Sequence, residues 1–351
     1  MKKGGKILVV RFSAFGDVAM TVPVIAGFLK AYPEAEVVFV SRPFAAKLYE
    51  PFSQVHFVSF NPKGEHKGVA GIFRLFRELR SIGSYSFVAD LHNVLRSRIL
   101  GLLFSLSGIP VYRIDKGRTE KDELVRQTNK RLRPLKSTFQ RYCDVFGAAG
   151  KAFDLQPLSL RGYFFIESSQ PPHASLGLAG PHIGIAPFAG HKWKAWPLEK
   201  VEQLIDLLDE RGFQVYLFGG RGTEAEVLED LAGRFVNVHS LAGRLSIDDE
   251  LKAMAMLDVM ISMDSANMHL ARLVNTPVLS IWGATHPYAG FYGWQLPEDW
   301  AVQVDLTCRP CSIFGNKECY RGDFACMELI SPAMVADKLD FLLTRTRSNR
   351  L

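Results

Sequence analysis

Several familiar signatures are missing from this sequence, and each absence narrows what the chain can be. No apolar run approaches the ~20 residues that a membrane-spanning helix needs, so a polytopic membrane protein is excluded. The first turn carries no Gly-x-Gly-x-x-Gly, which argues against a dinucleotide-dependent dehydrogenase. No nucleic-acid-binding motif stands out, and neither a short repeat nor a low-complexity tract is present. The opening MKKGGKILVVRFSAFGD is basic and then apolar, but Arg11 and Asp17 interrupt it and no small-residue cleavage site follows. It reads as a first core strand rather than a secretory leader, and the chain is expected to stay in the cytoplasm. Cysteine is scarce, five residues in 351, and four of the five fall between Cys308 and Cys326.

What is present is an ordinary globular composition, 48% apolar and 22% charged, at a length that suits two domains. The net charge of +6 is concentrated. Between Arg113 and Arg141 ten lysines and arginines stand against Asp115, Glu120, Asp122 and Glu123, an excess of six. A solvated helix face is the plain reading of such a run. The alternative is a polyanionic partner: a phosphorylated glycolipid, an anionic membrane surface, or nucleic acid, for which no motif gives further support.

The segment VMISMDSANMHLARLVNTPVLSIWGATHP, from Val259 to Pro287, organises the rest. Its pattern predicts a buried strand over Val259–Met263, the N-cap residues Asp264 and Ser265, a helix over Ala266–Val274 and a second strand over Val278–Trp282. The first turn of such a helix aims free backbone N–H groups at an anion site. A unit of the same type opens the chain. Lys6–Phe12 is strand-like, Ser13-Ala14-Phe15-Gly16 is a turn, and Asp17 starts a helix reaching about Lys30.

ILVVRFSAFGDVAMTVPVI, the KAWP at Lys194 to Pro197, and SMDSANMHLA followed by WGATHP together resemble the lipopolysaccharide heptosyltransferases, glycosyltransferase family 9. The resemblance is strongest at both ends of the chain and weak between about Arg113 and Ser175. It implies a GT-B architecture, two Rossmann-like α/β domains facing across a cleft. It further implies inverting transfer of heptose from ADP-heptose to a lipid-linked core sugar, with no catalytic metal; no Asp-x-Asp is seen. A nucleotide-sugar epimerase of similar architecture and an inactive nucleotide-sugar-binding protein are the rival readings.

Under this resemblance Asp17 is the general base, and otherwise it only caps its helix. Ser13, on the same turn, is a candidate to orient the acceptor. Lys194 matches the family lysine that neutralises donor phosphate, with Lys192 two residues earlier as its substitute. Asp264, Ser265, Ala266, Asn267 and Met268 form the helix start under the diphosphate, Asp264 facing sugar hydroxyls because a carboxylate repels phosphate. Glu224, after the Gly219-Gly220-Arg221-Gly222 turn, is a candidate for ribose hydroxyls. His269 reads as a packed core histidine. Asp90, His92 and Asn93 lie at a strand end, where they either bind a ligand or hydrogen-bond their own loop. Arg131 and Arg133 represent the basic segment as acceptor contacts at the membrane face. The cysteines Cys308, Cys311, Cys319 and Cys326 either hold a structural zinc or remain reduced thiols; only the first pair has tight knuckle spacing.

The expected organisation is an acceptor domain over 1–165, a Ser/Pro/Gly-rich linker over Ile166–Pro181, a nucleotide-sugar domain over 182–330, and a last helix crossing back to the first domain.

Overall fold

Short runs of β-branched and aliphatic residues become two all-parallel sheets whose central strands are buried on both faces. The computed structural model describes residues 6–165 and 180–348. The first sheet holds β1 (Lys6–Val10), β2 (Val37–Ser41), β3 (Val55–Ser59), β4 (Tyr85–Asp90) and β5 (Val111–Arg113), in the order β3-β2-β1-β4-β5. The second holds β6 (His182–Ala186), β7 (Gln214–Leu217), β8 (Val238–Ser240), β9 (Val259–Met263), β10 (Val278–Ile281) and β11 (Ala301–Val302), ordered β11-β10-β9-β6-β7-β8. Both sheets are Rossmann-like. In each the strand order reverses once, between β1 and β4 and between β6 and β9. Open parallel sheets bind ligands outside the carboxyl ends of their strands at such a reversal. The turn bearing Asp17 follows β1, and Asp264 follows β9, so both candidate residues stand at a switch point.

The helix Gly68–Ile82 buries Gly71, Ile72, Leu75 and Leu79, the i, i+3, i+4 spacing of an amphipathic helix. With Leu8, Val10, Val38 and Val88 these residues form the first core. The second core gathers Ile183, Ile185, Leu204, Leu217, Ile261 and Leu279.

Three expectations of organisation are revised. The chain divides into two units, but residues 117–137 belong with the second unit rather than the first. Leu124 and Leu135 bury against Ala289 and Ile313, and Leu135 N–H donates to Tyr288 O over 2.9 Å. The last helix, Pro332–Ser348, also stays with the second unit: Val335, Ala336, Leu339, Leu342 and Leu343 complete its core. The expected linker lies almost wholly outside the described residues. The first helix, read as continuous from Asp17, is two pieces, Phe15–Ala19 and Thr21–Ala31.

Candidate active-site residues

In the first unit the backbone leaves β1 in a sharp turn and enters the short helix Phe15–Ala19 with Asp17 in its first turn. The Asp17 carboxylate accepts from Ala14 N–H at 3.3 Å and pairs with Arg11 Nη2 at 2.6 Å. Arg11 is buried and donates from Nη1 to Leu91 O at 2.8 Å, which ties β1 to the end of β4. A buried guanidinium therefore fixes one face of the carboxylate, while 28% of the Asp17 side chain stays open. Tyr142 O–H donates to Asp17 O at 3.3 Å from the helix Thr138–Ala148. Ser13 is half-buried on the same turn.

Asp90, by contrast, is spent on its own loop. Its carboxylate accepts from His92 N–H at 3.0 Å, Asn93 N–H at 2.7 Å and Ser97 Oγ at 3.0 Å. His92 is pushed down to about 3 by burial and then by the positive Arg11, Lys116 and Arg42, so its ring is neutral. Four buried polar atoms at these strand ends have no partner among the described residues: Arg11 Nε, Ser41 Oγ, Arg42 Nε and His92 Nδ1. Buried polar atoms are normally paired, so such a group marks a place prepared for a polar ligand or for water.

In the second unit Lys194 closes the short turn Lys192–Lys194, and its Nζ lies 2.8 Å from Asp264 Oδ2. Both side chains are withdrawn from solvent, 16% and 6% exposed. Trp196, fully buried, anchors the loop by donating its indole N–H to Ile330 O over 3.2 Å. Lys192 is exposed, and its ammonium sits over the Trp193 ring, 5.0 Å from the centroid. Of the two lysines, Lys194 is thus the one beside the helix Ala266–Leu273. The N-cap Ser265 gives that helix no side-chain cap; its Oγ meets Ser262 Oγ at 3.2 Å instead. The first N–H groups of the helix, including those of Ala266 and Asn267, therefore lack a capping side chain. Met268 and His269 are buried, so any ligand contact there comes from backbone. Glu224 folds back over the glycine turn after β7 and accepts from Gly220 N–H at 2.7 Å.

Arg131 and Arg133 are exposed and share Glu123 at 3.4 and 3.9 Å. Because their segment packs on the second unit, they are not part of the first unit that holds Asp17. Arg141 is buried and donates to Asp115 O at 3.2 Å, so the basic stretch is not wholly a surface. The four clustered cysteines line one cavity of about 10 Å³. As placed, no three of the described histidine, cysteine, aspartate or glutamate side chains close into a metal-holding set.

The profile of glycosyltransferase family 9 (heptosyltransferase) matches residues 72–314. The chain belongs to this family. Within glycosyltransferase family 9 it is 25% identical over 318 residues to lipopolysaccharide heptosyltransferase 1 of Pseudomonas aeruginosa, covering 87% of this chain and 86% of that protein. Among solved structures, the family 9 glycosyltransferase of Veillonella parvula superposes with a TM-score of 0.75 at 18% identity, covering 98% and 99% of the two chains. The E. coli heptosyltransferase WaaC, solved with ADP-2-deoxy-2-fluoro heptose, gives 0.68 at 18% identity, covering 95% and 99%. The chain thus has the GT-B fold of this family and is a glycosyltransferase. Among its described residues no helix is long and apolar enough to cross a membrane.

Sequence reasoning singled out Asp17, Lys194 and Asp264 but missed Arg11, Arg42 and the Lys194–Asp264 ion pair. Arg11 interrupts an otherwise apolar strand run, which was the available signal: a buried cation needs a partner.

Proposed function

We propose that this family 9 glycosyltransferase moves heptose from ADP-heptose to a lipid-linked core sugar, with inversion at the anomeric carbon. The single observation carrying the reading is the Lys194–Asp264 pair beside an uncapped helix start at a switch point, in a chain whose relatives across most of its length are heptosyltransferases. A cation held in place and free N–H groups together suit the two phosphates of a nucleoside diphosphate. Glu224, on the glycine turn two strands along the sheet, suits the ribose hydroxyls. WaaC, of the same fold, was solved with an ADP-heptose analogue, which supports ADP as the nucleotide.

In the reaction an acceptor hydroxyl loses its proton to Asp17 as its oxygen bonds to the anomeric carbon. The bond from that carbon to the diphosphate breaks, and the electron pair leaves with ADP. Asp17 accepts the proton on the carboxylate oxygens that Arg11 leaves accessible, while Lys194 and the helix N–H groups take up the charge growing on the departing phosphate. The unpaired atoms of Arg11, Ser41, Arg42 and His92 suit a polar or anionic acceptor sugar beside the base. The exposed basic residues of 117–137 suit an anionic lipid surface on the cytoplasmic side. A thermal-shift panel of nucleotide sugars tests the donor: ADP-heptose should raise the midpoint by mass action, and a larger rise with a UDP- or GDP-sugar would refute it.

A further inference from the structure

Two neighbouring helices of the first unit carry apolar side chains on their solvent side. The helix Leu95–Leu106 buries Ser97, Leu100, Gly101 and Phe104, which fixes the side turned to the core. On the other side Leu95, Ile99, Leu102 and Leu106 recur at i, i+4, i+7 and i+11, one stripe along the helix. Leu95 is 75% exposed, Leu102 56% and Leu106 77%. A helix that is apolar all round is ordinarily buried in a protein or a membrane, so this stripe needs a partner. The helix Gly68–Ile82 widens the patch. Its Phe76 meets Phe104 edge-on at 4.9 Å, and the exposed Val69 and Phe73 precede Phe76 on the same stripe. Ile99 and Leu103 pack half-buried against the core that both helices share.

The charge around the patch has one sign. The two helices carry Arg74, Arg77, Arg80, Arg96 and Arg98, all exposed, against the single carboxylate of Glu78. Glu78 Oε2 itself lies 3.2 Å from Nε2 of the buried His66. Arg98 Nε donates to Asn93 Oδ1 at 2.7 Å, and among the described residues none of the five arginines forms an ion pair. A second copy of this chain is a poor occupant, because a two-fold contact would set these arginines against their own copies. A lipid surface matches both features at once, with phosphates for the arginines and hydrocarbon for the leucines. The helix Leu95–Leu106 is only ~18 Å long, too short to span ~30 Å of hydrocarbon, so it would lie in the interface.

We propose that the outer face of these two helices docks the first unit on an anionic bilayer. Leu95, Leu102 and Leu106 enter the acyl boundary, and the arginines meet lipid phosphates. This surface is distinct from residues 117–137, which belong to the second unit. Its place in the fold suits the acceptor. Both helices begin at the carboxyl edge of the first sheet, after β3 and β4, and Asp17 stands at that same edge after β1. The loop that holds Asp90, His92 and Asn93 leads directly into Leu95, so the docked helix is continuous with the acceptor side. On a docked enzyme a lipid-linked sugar meets the base with its lipid still in the membrane.

The link to the acceptor rests on the proposed transfer to a lipid-linked sugar; the docking face does not. The test floats full-length protein with vesicles of phosphatidylglycerol and phosphatidylcholine, and with phosphatidylcholine alone, at low and high salt. Wild-type protein should float with the anionic vesicles and be released only in part by salt, because leucine insertion is not screened. Leu102→Glu/Leu106→Glu should weaken partition roughly tenfold or more, and the uncharged Leu102→Ser/Leu106→Ser nearly as much, with ADP binding and thermal midpoint kept. Arg74→Glu/Arg77→Glu should remove most of the salt-sensitive part. Transfer to a glycolipid in vesicles should fall with flotation, while transfer to its water-soluble fragment should not. Leucine variants that float like the wild type overturn the docking face, as does wild-type protein that fails to float. Dimers that the leucine variants dissolve, in protein that ignores vesicles, give the face to a second copy and overturn the bilayer. Protein that floats by these leucines yet transfers no sugar overturns the transfer reading and leaves the docking face standing.

Discussion

Removing Lys194 should damage donor binding in a way that a second substitution partly repairs. Its ammonium lies 2.8 Å from Asp264 Oδ2, and both side chains are largely withdrawn from water. At that distance two unit charges attract by ~6 kcal/mol even at an effective dielectric of about 20, which is an upper bound on the pair. In Lys194→Ala the diphosphate loses its counter-charge and also meets an uncompensated carboxylate. Truncating one partner of a buried charge pair costs ~2–5 kcal/mol, or roughly 30- to several-thousand-fold in affinity. The double variant Lys194→Ala/Asp264→Asn removes the repulsion but not the loss of attraction, so it should recover at least ~1.4 kcal/mol, about tenfold. Isothermal titration with ADP reads all three proteins, and their thermal midpoints report whether the pair also stabilises the fold. Lys192→Ala should change ADP affinity by only a few-fold, since an exposed cation–π contact contributes ~0.5–1 kcal/mol. A double variant no better than Lys194→Ala, or a larger defect in Lys192→Ala, would refute the reasoning.

Asp17→Asn keeps the size and hydrogen-bonding reach of the side chain but removes the proton acceptor, so turnover should fall by ~10²–10⁴ while ADP binding is retained. More than a tenth of wild-type turnover would exclude Asp17 as base. Reversing Arg131 and Arg133 to Glu should reduce sedimentation with anionic vesicles, as high salt should in the wild type, without altering ADP affinity; equal salt sensitivity for a neutral acceptor fragment would show a merely solvated face. Glu250, half-buried in the helix Ile247–Met256, is pushed up by burial to about 7. A carboxyl raised on folding binds its proton more tightly in the native state, so its stabilisation is full below the unfolded value and is lost as pH rises through about 7. Glu250→Gln should therefore raise the thermal midpoint at pH above this range and have little effect in acid; a gain of equal size at both extremes would contradict it.

The elements that carry the two candidate sites were legible because their signals are local. Val259–Met263 is a continuous apolar strand, and Asp264 and Ser265 are residues of capping type ahead of the helix Ala266–Leu273. The short edge strands β5, β8 and β11 were missed, since two or three residues leave no apolar run to recognise. Long-range partnership was also hidden. Nothing in the spacing says that Lys130 will bond the carbonyls of 307–310, or that residues 117–137 will leave the unit on either side of them in sequence. The last helix was assigned by analogy, and its buried Val335, Leu339 and Leu342 go to the nearer core instead. At the sites, residue type announced Asp17, Lys194 and Asp264, but the pairing of Lys194 with Asp264 emerges only when the loop after β6 is laid beside the end of β9.

The most direct measurement of the central claim is to incubate the protein with ADP-heptose and a heptose-deficient core glycolipid, following ADP release, product mass and anomeric configuration together. The expected result is one heptosyl group added per ADP released, in the configuration opposite to that of the donor, with turnover in Asp17→Asn lower by ~10²–10⁴. ADP-heptose consumed without acceptor, retention of configuration, or transfer from a different nucleotide sugar in preference would contradict it.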